Sequence, residues 1–218
     1  MKNFDIARWI NGYTIRITSV FGGRVRFIGI QGSCARGEAN ENSDIDVVMI
    51  LDKLDYADVK RYDEAVADLP ERERLCGFIA GENELKCWDR SDLFQFYHDT
   101  HPLYGSLEWM KESFNREDVR RAVHFGACNL YHLCIHNALH RRQEGKVDGL
   151  YKSAVFTLQA KYFYETGEYI SKRADLAEKL TGDDRKILSY AMGEPGGLDE
   201  KSEFLLNWCS KIITEFKA

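Results

Sequence analysis

The sequence lacks any excess of positive charge. Thirty Lys and Arg stand against 35 Asp and Glu in 218 residues, a net charge of −5. A polymerase that follows a phosphate backbone needs a basic track, so this balance argues against nucleic acid as the partner. Paired cysteines are also missing. The six cysteines, at 34, 76, 87, 128, 134 and 209, form no Cys-x-x-Cys pair. A chain of this length does not need disulfide staples, and free thiols in a reducing compartment are the simplest reading. No apolar run approaches a membrane span, and the opening residues MKNFDIARWINGY lack the apolar core of a signal peptide. The expectation is a cytoplasmic protein with no membrane partner. Internal repeats and low-complexity segments are absent too. What remains is an ordinary globular composition, 44% hydrophobic, long enough for one large domain or two small ones.

Against that background one stretch stands out, FIGIQGSCARGEANENSDIDVVMILD over residues 27–52. A short apolar run ends at Gly32-Ser33, a small polar loop follows, and a second apolar run occupies residues 45–51. Both runs have the length of buried strands. Asp44 and Asp46 lie two apart in an extended segment, so their side chains share one face, about 7 Å apart along the chain. Two carboxylates so placed resist desolvation unless a cation lies between them. Oxygen-only ligands suit a hard ion, which makes magnesium the expected metal. Gly32 lets the backbone approach a ligand closely, and amides at a helix start favour phosphate. Arg36, just beyond, is placed to lean on a phosphate. Metal-holding carboxylates beside a phosphate cradle point to chemistry on a nucleoside triphosphate.

Gly32-Ser33 followed by Ser43-Asp44-Ile45-Asp46 resembles the signature of the DNA polymerase beta-like nucleotidyltransferase superfamily. Within it the stretch is most similar to the aminoglycoside (streptomycin/spectinomycin) adenylyltransferases. The resemblance implies a nucleotidyltransferase fold followed by a helical domain, with ATP and magnesium held in a cleft between them. AMP would pass to a hydroxyl of a small acceptor, an aminoglycoside being the first choice, with release of pyrophosphate. Asp44 and Asp46 would hold the metal, and Gly32 and Ser33 would grip phosphates. A further carboxylate is expected as general base. Glu84 matches a glutamate that opens a short strand in that family, with Glu82 second; the two share parity in an extended segment. Lys172, five residues after Gly167, matches a phosphate-contacting lysine, and Tyr190 a nucleotide-contacting tyrosine. A mildly acidic enzyme suits a cationic substrate. The alternatives are AMP transfer to a protein, as in toxin-neutralising nucleotidyltransferases, and a nucleotide-binding module without turnover.

In chain order, helical spacing of apolar residues predicts a helix over residues 3–20, including Phe4, and another over 56–69 closed by Pro70. Strands are expected over 24–30, 44–51, 74–80 and 84–88, then a helix from Ser91 to about His101 stopped by Pro102. Helices alone follow: 116–142 with Asn115 as cap and Asp118 completing a capping box, a break at 145–149, then 150–166, 172–180, 183–192 and 202–217. The expected domains are residues 1–105, a small mixed α/β sheet domain, and 106–218, a helical bundle. His132, His136 and His140 form a stripe on one helix. The outer two stand about 12 Å apart by helix rise, too far to share one ion.

Overall fold

Alternation of apolar and polar residues is weak in the two central strands, where residues of both parities are buried. In a computed structural model, which describes residues 5–217, four strands order as β3-β2-β1-β4. They are β1 Val25–Ile30, β2 Ile45–Leu51, β3 Leu75–Gly81 and β4 His101–Tyr104. β1 runs antiparallel to β2 and β4, and β2 runs parallel to β3. Helix α1 (Ile6–Phe21) buries Trp9, Ile10, Tyr13, Ile17 and Phe21 against Ile28, Ile30, Ile45, Val47, Met49 and Leu51. Phe27, Val48 and Ile50, of opposite parity or across the bulge in β1, are buried as well. The helix expected over 3–20 begins at Ile6, and Phe4 lies outside the described residues.

Asp5 caps α1 by accepting from the Arg8 amide at 3.1 Å. Helix α3 (Tyr56–Val66) is capped by Asp55, with Asp58 completing a capping box. Asp58 also takes both terminal nitrogens of Arg24, at 2.6 and 2.8 Å. This fork joins the start of β1 to α3. Arg24 holds the Asp58 carboxyl below its ordinary range, chiefly by that hydrogen bond. Folding therefore favours the ionised form. The stabilisation is present above the unfolded pKa near 3.9 and is lost as pH falls through it and the lower folded value. Asp58→Asn is expected to destabilise the protein by about 2 kcal/mol at pH 7, as for hydrogen bonds to a charged group. Thermal melts from pH 7 down to pH 3 check it: the deficit should shrink below pH 4.

Three expectations fail in this half. Residues 84–88 are not a strand, because helix α4 spans Glu82–Lys86 and is supported by a Lys86–Glu82 pair at 2.7 Å, four residues apart. Helix α5 covers Arg90–Asp99, so Ser91 lies inside it rather than at its cap. Pro102 does not simply end a helix but sits in β4, opposite Gly29. An edge strand tolerates proline because one side of its ladder is unpaired.

The chain divides into two units. One runs to Asp89 and resumes over Phe96–Glu112; the other comprises Arg90–Gln95 and the chain from Ser113 onward. The second unit is helical throughout: α6 Arg116–His136, α7 Glu144–Thr166, α8 Arg173–Lys179, α9 Gly182–Ala191 and α10 Leu198–Glu215. The Asn115–Asp118 capping box forms as expected. Gly126 on α6 faces Thr157 on α7 so closely that a Cβ would collide with the threonine hydroxyl. Val123, Ala127, Tyr151, Leu158, Leu188 and Leu205 are among the side chains closing this core. The break expected at 145–149 is absent, since Gly145 and Gly149 lie within α7. Helix α10 likewise starts at Leu198, four residues before the expected start.

Candidate functional site

Strand pairing decides which loops meet. Ile30 at the end of β1 stands opposite Val47, so Gln31 falls beside Asp46, and its amide donates to the Asp46 carbonyl at 2.8 Å. His101 at the start of β4 also pairs with Ile30, which brings Asp99 and Thr100 to the same end. Gln31 Nε2 donates to Thr100 Oγ1 at 2.7 Å. Cys76 of β3 is the register partner of Asp46. Four strand ends therefore converge on Gly32-Ser33 and Asp46.

The short helix α2 (Gly32–Arg36) begins there and closes on Gly37, which is left-handed with φ 71°. Gly32 is itself at φ 66°, and a Cβ on it would fall onto Asp46 Oδ2 and within 3.2 Å of Asp46 Cγ. Only glycine brings the loop this near the carboxylate. Asp46 is half-buried, and burial raises its pKa, with Asp44 and then Asp99 adding to the rise; Arg36 and the Cys76 thiol oppose it. Asp44 is exposed just before β2, and the Cys34 thiol donates to its carbonyl at 3.4 Å. The Ser33 side chain is half-buried, and the Ser33 carbonyl accepts from the Glu38 amide at 2.9 Å.

Asp99 is a third carboxylate of this end that sequence reasoning missed. Its side chain is 10% exposed, and it accepts from Arg36 Nη1 at 3.1 Å and, at 3.4 Å, from the Gly32 amide. Arg36 is also tied to Glu38 at 2.9 Å. Arg36 thus braces the loop from the side. The signal for Asp99 was its place at a helix end two residues before a strand, hidden because β4 contains a proline.

Glu84 is not brought to the aspartates. Gly81 pairs with Leu51, five residues along parallel strands from the Asp46–Cys76 pair, which is about 16 Å at the rise of a strand. The Glu84 carboxylate folds against Gly81. Glu82 pairs with Lys86 at 2.7 Å and Arg26 at 3.6 Å, at that same far end. In a helix, residues two apart do not share a face, so their common parity has no effect.

Lys172 and Tyr190 belong to the helical unit. Lys172 is exposed at the start of α8. Tyr190 is 3% exposed, and its hydroxyl donates to Glu200 at 2.7 Å. Its ring packs 5.0 Å from that of Tyr151. The histidine stripe is a run of ring contacts, His132–His136 at 6.3 Å and His136–His140 at 4.9 Å.

Among the described residues no three His, Cys, Asp or Glu side chains are arranged to hold a metal. The pair Asp44 and Asp46 nevertheless fits magnesium, which takes one or two carboxylates and completes its shell with water and substrate phosphates. Burial first, and then the charges of Asp44 and Asp99, disfavour the ionised form of Asp46 in the protein alone, and a bound cation would offset both. The missing Cβ of Gly32 is what lets the loop lie against that carboxylate.

Residues 17–98 match the family described as nucleotidyltransferase domain. No curated protein matches the chain significantly. Among solved structures, spectinomycin adenyltransferase AAD(9) from Enterococcus faecialis, with ATP and spectinomycin, superposes with a TM-score of 0.63 at 14% identity. The alignment covers 96% of this chain and 100% of that one. The match establishes the fold: a nucleotidyltransferase fold continued by helices.

Proposed function

We propose that this chain, whose residues 17–98 match a nucleotidyltransferase domain, transfers AMP from ATP to a hydroxyl of a small acceptor with release of pyrophosphate. The observation that carries the reading is the approach of Gly32 to the Asp46 carboxylate at the shared end of β1 and β2. Asp44 and Asp46 are the residues that would hold magnesium. When bound, the ion supplies charge neutralisation on the triphosphate. Gly32 and Ser33 seat phosphate oxygens, since a loop without a Cβ lets the backbone reach them. Asp99 is a positioning residue: it holds Arg36 and the Gly32 amide, and so fixes the loop against Asp46. The roles of Lys172 and Tyr190 in nucleotide binding rest on the family resemblance alone.

The acceptor class is the finer part of the reading. Spectinomycin, which the similar structure holds, is the first acceptor to try, beside other aminoglycosides. The experiment is incubation with labelled ATP and magnesium, with and without the panel. Pyrophosphate release that depends on one acceptor supports the reading. Label on protein selects protein modification, and binding without turnover selects the regulatory module.

The reassignment of the third carboxylate has its own test. Asp99→Asn is expected to lower kcat by about 100-fold, in the range for loss of one preorganising contact. Glu84→Gln, at the far end of the sheet, should stay within about threefold of wild type. Equal losses in the two variants would remove the positioning role of Asp99.

A further inference from the structure

The helical unit contains a cavity of about 500 Å³ between the end of α6 and the start of α7. Its apolar surface comes from Leu133 and Leu150, and Gly145 and Gly149 leave its floor open. The ionisable groups lining it are His136, Arg141 and Lys146, all basic. Nearby acids are committed elsewhere: Asp148 to Lys201 at 2.9 Å, and Asp199 to Arg142 at 3.0 Å. Glu144, in the first turn of α7, is not part of the lining.

The wall is a built turn rather than a frayed helix end. Residues Asn137–Arg141 form one π-helical turn, a feature that recurs at functional sites. Asn137 is 4% exposed and spends its side chain on Gln143, donating to its carbonyl at 3.2 Å and accepting from its amide at 3.3 Å. Arg142 is held at φ 47°, and its amide donates to the Asn137 carbonyl at 2.7 Å. A non-glycine residue in that region persists only where surrounding contacts fix it. The turn sends Arg142 to Asp199 and Arg141 to the cavity wall.

We propose that this cavity binds a small anionic molecule with an apolar body, a carboxylate or phosphate carried on a hydrocarbon or ring framework. The apolar floor takes the body, as in small-molecule sites generally. Arg141, Lys146 and the amide end of α7 face the charge. A polycation is repelled by the same lining. The inference goes beyond nucleotidyl transfer and does not depend on it, because binding is read without nucleotide.

Calorimetric titration of the full chain tests it with three probes: octanoate, octylammonium and inorganic phosphate. Octanoate is expected to bind one to one, with octylammonium and phosphate each at least about tenfold weaker. The double variant R141E/K146E should weaken octanoate about tenfold or more with an unchanged melting temperature. Gly149→Leu, which fills open space within a helix, should block octanoate while the fold melts normally. Octylammonium binding as tightly as octanoate overturns the proposal, as does phosphate alone doing so. Absence of octanoate binding, or binding indifferent to charge reversal, overturns it equally.

Discussion

Replacing Asp46 by Asn is expected to lower nucleotidyl transfer by about 10³-fold or more while leaving the fold at least as stable as wild type. The two halves of this result have one cause. Asp46 is the only polar residue in β2; it is half-buried, and burial chiefly raises its pKa, with Asp44 and Asp99 adding to the rise. In the protein alone, its charge is a liability; Asn has the same shape without the charge, so removing it relieves repulsion. A bound divalent cation is worth several kcal/mol to a transferring phosphoryl group, and each 1.4 kcal/mol is tenfold in rate. Melting curves with and without ATP and magnesium separate these effects. Ligand that binds only the folded state raises its melting temperature, so wild type should gain several degrees and the variant almost none. Full activity in Asp46→Asn, or a wild-type melting point indifferent to ATP and magnesium, would remove the metal role.

The central part of this site was legible because two signals coincide in one short stretch. A strand of apolar residues interrupted only by Asp46 announces a charge that the fold must accommodate, and Gly32-Ser33 announces a turn. Antiparallel pairing then places the turn beside the charge, as Ile30 opposite Val47 does. The third carboxylate was not legible for the converse reason. Asp99 meets Arg36 and Gly32 across 63 and 67 residues, and the strand that follows it looks like a helix stop because of Pro102. Glu84 looked right in an extended segment, but the sequence Glu-Asn-Glu-Leu-Lys also suits a helix turn with its acids first and its lysine last. Helix formation took the local choice, and strand register put that turn at the wrong end of the sheet. The same limit explains α7. Gly145 and Gly149 weaken a helix by only about 1 kcal/mol each, and buried Val147 and Tyr151 between and beyond them offset that.

Gly32→Ala and Gly37→Ala should differ sharply although both glycines hold left-handed backbones, at φ 66° and 71°. Each alanine carries a conformational cost of about 1–2 kcal/mol. For a chain of this size that lowers the melting temperature by roughly 2–8 °C, at 2–4 °C per kcal/mol. Nothing lies within 4 Å of a Cβ on Gly37, so its variant should show that cost and little else, with activity within about threefold of wild type. A Cβ on Gly32 lands on Asp46 Oδ2. Either the loop or the carboxylate must move, and a displacement near 1 Å at a reacting centre costs about 100-fold in rate. The Gly32 variant is therefore expected to lose about 100-fold in kcat at a melting point close to that of the Gly37 variant. Measuring both quantities on both proteins isolates the contact from the strain. If the two alanines reduce turnover equally, backbone strain alone accounts for the loss, and the close approach of the loop to Asp46 plays no part in catalysis.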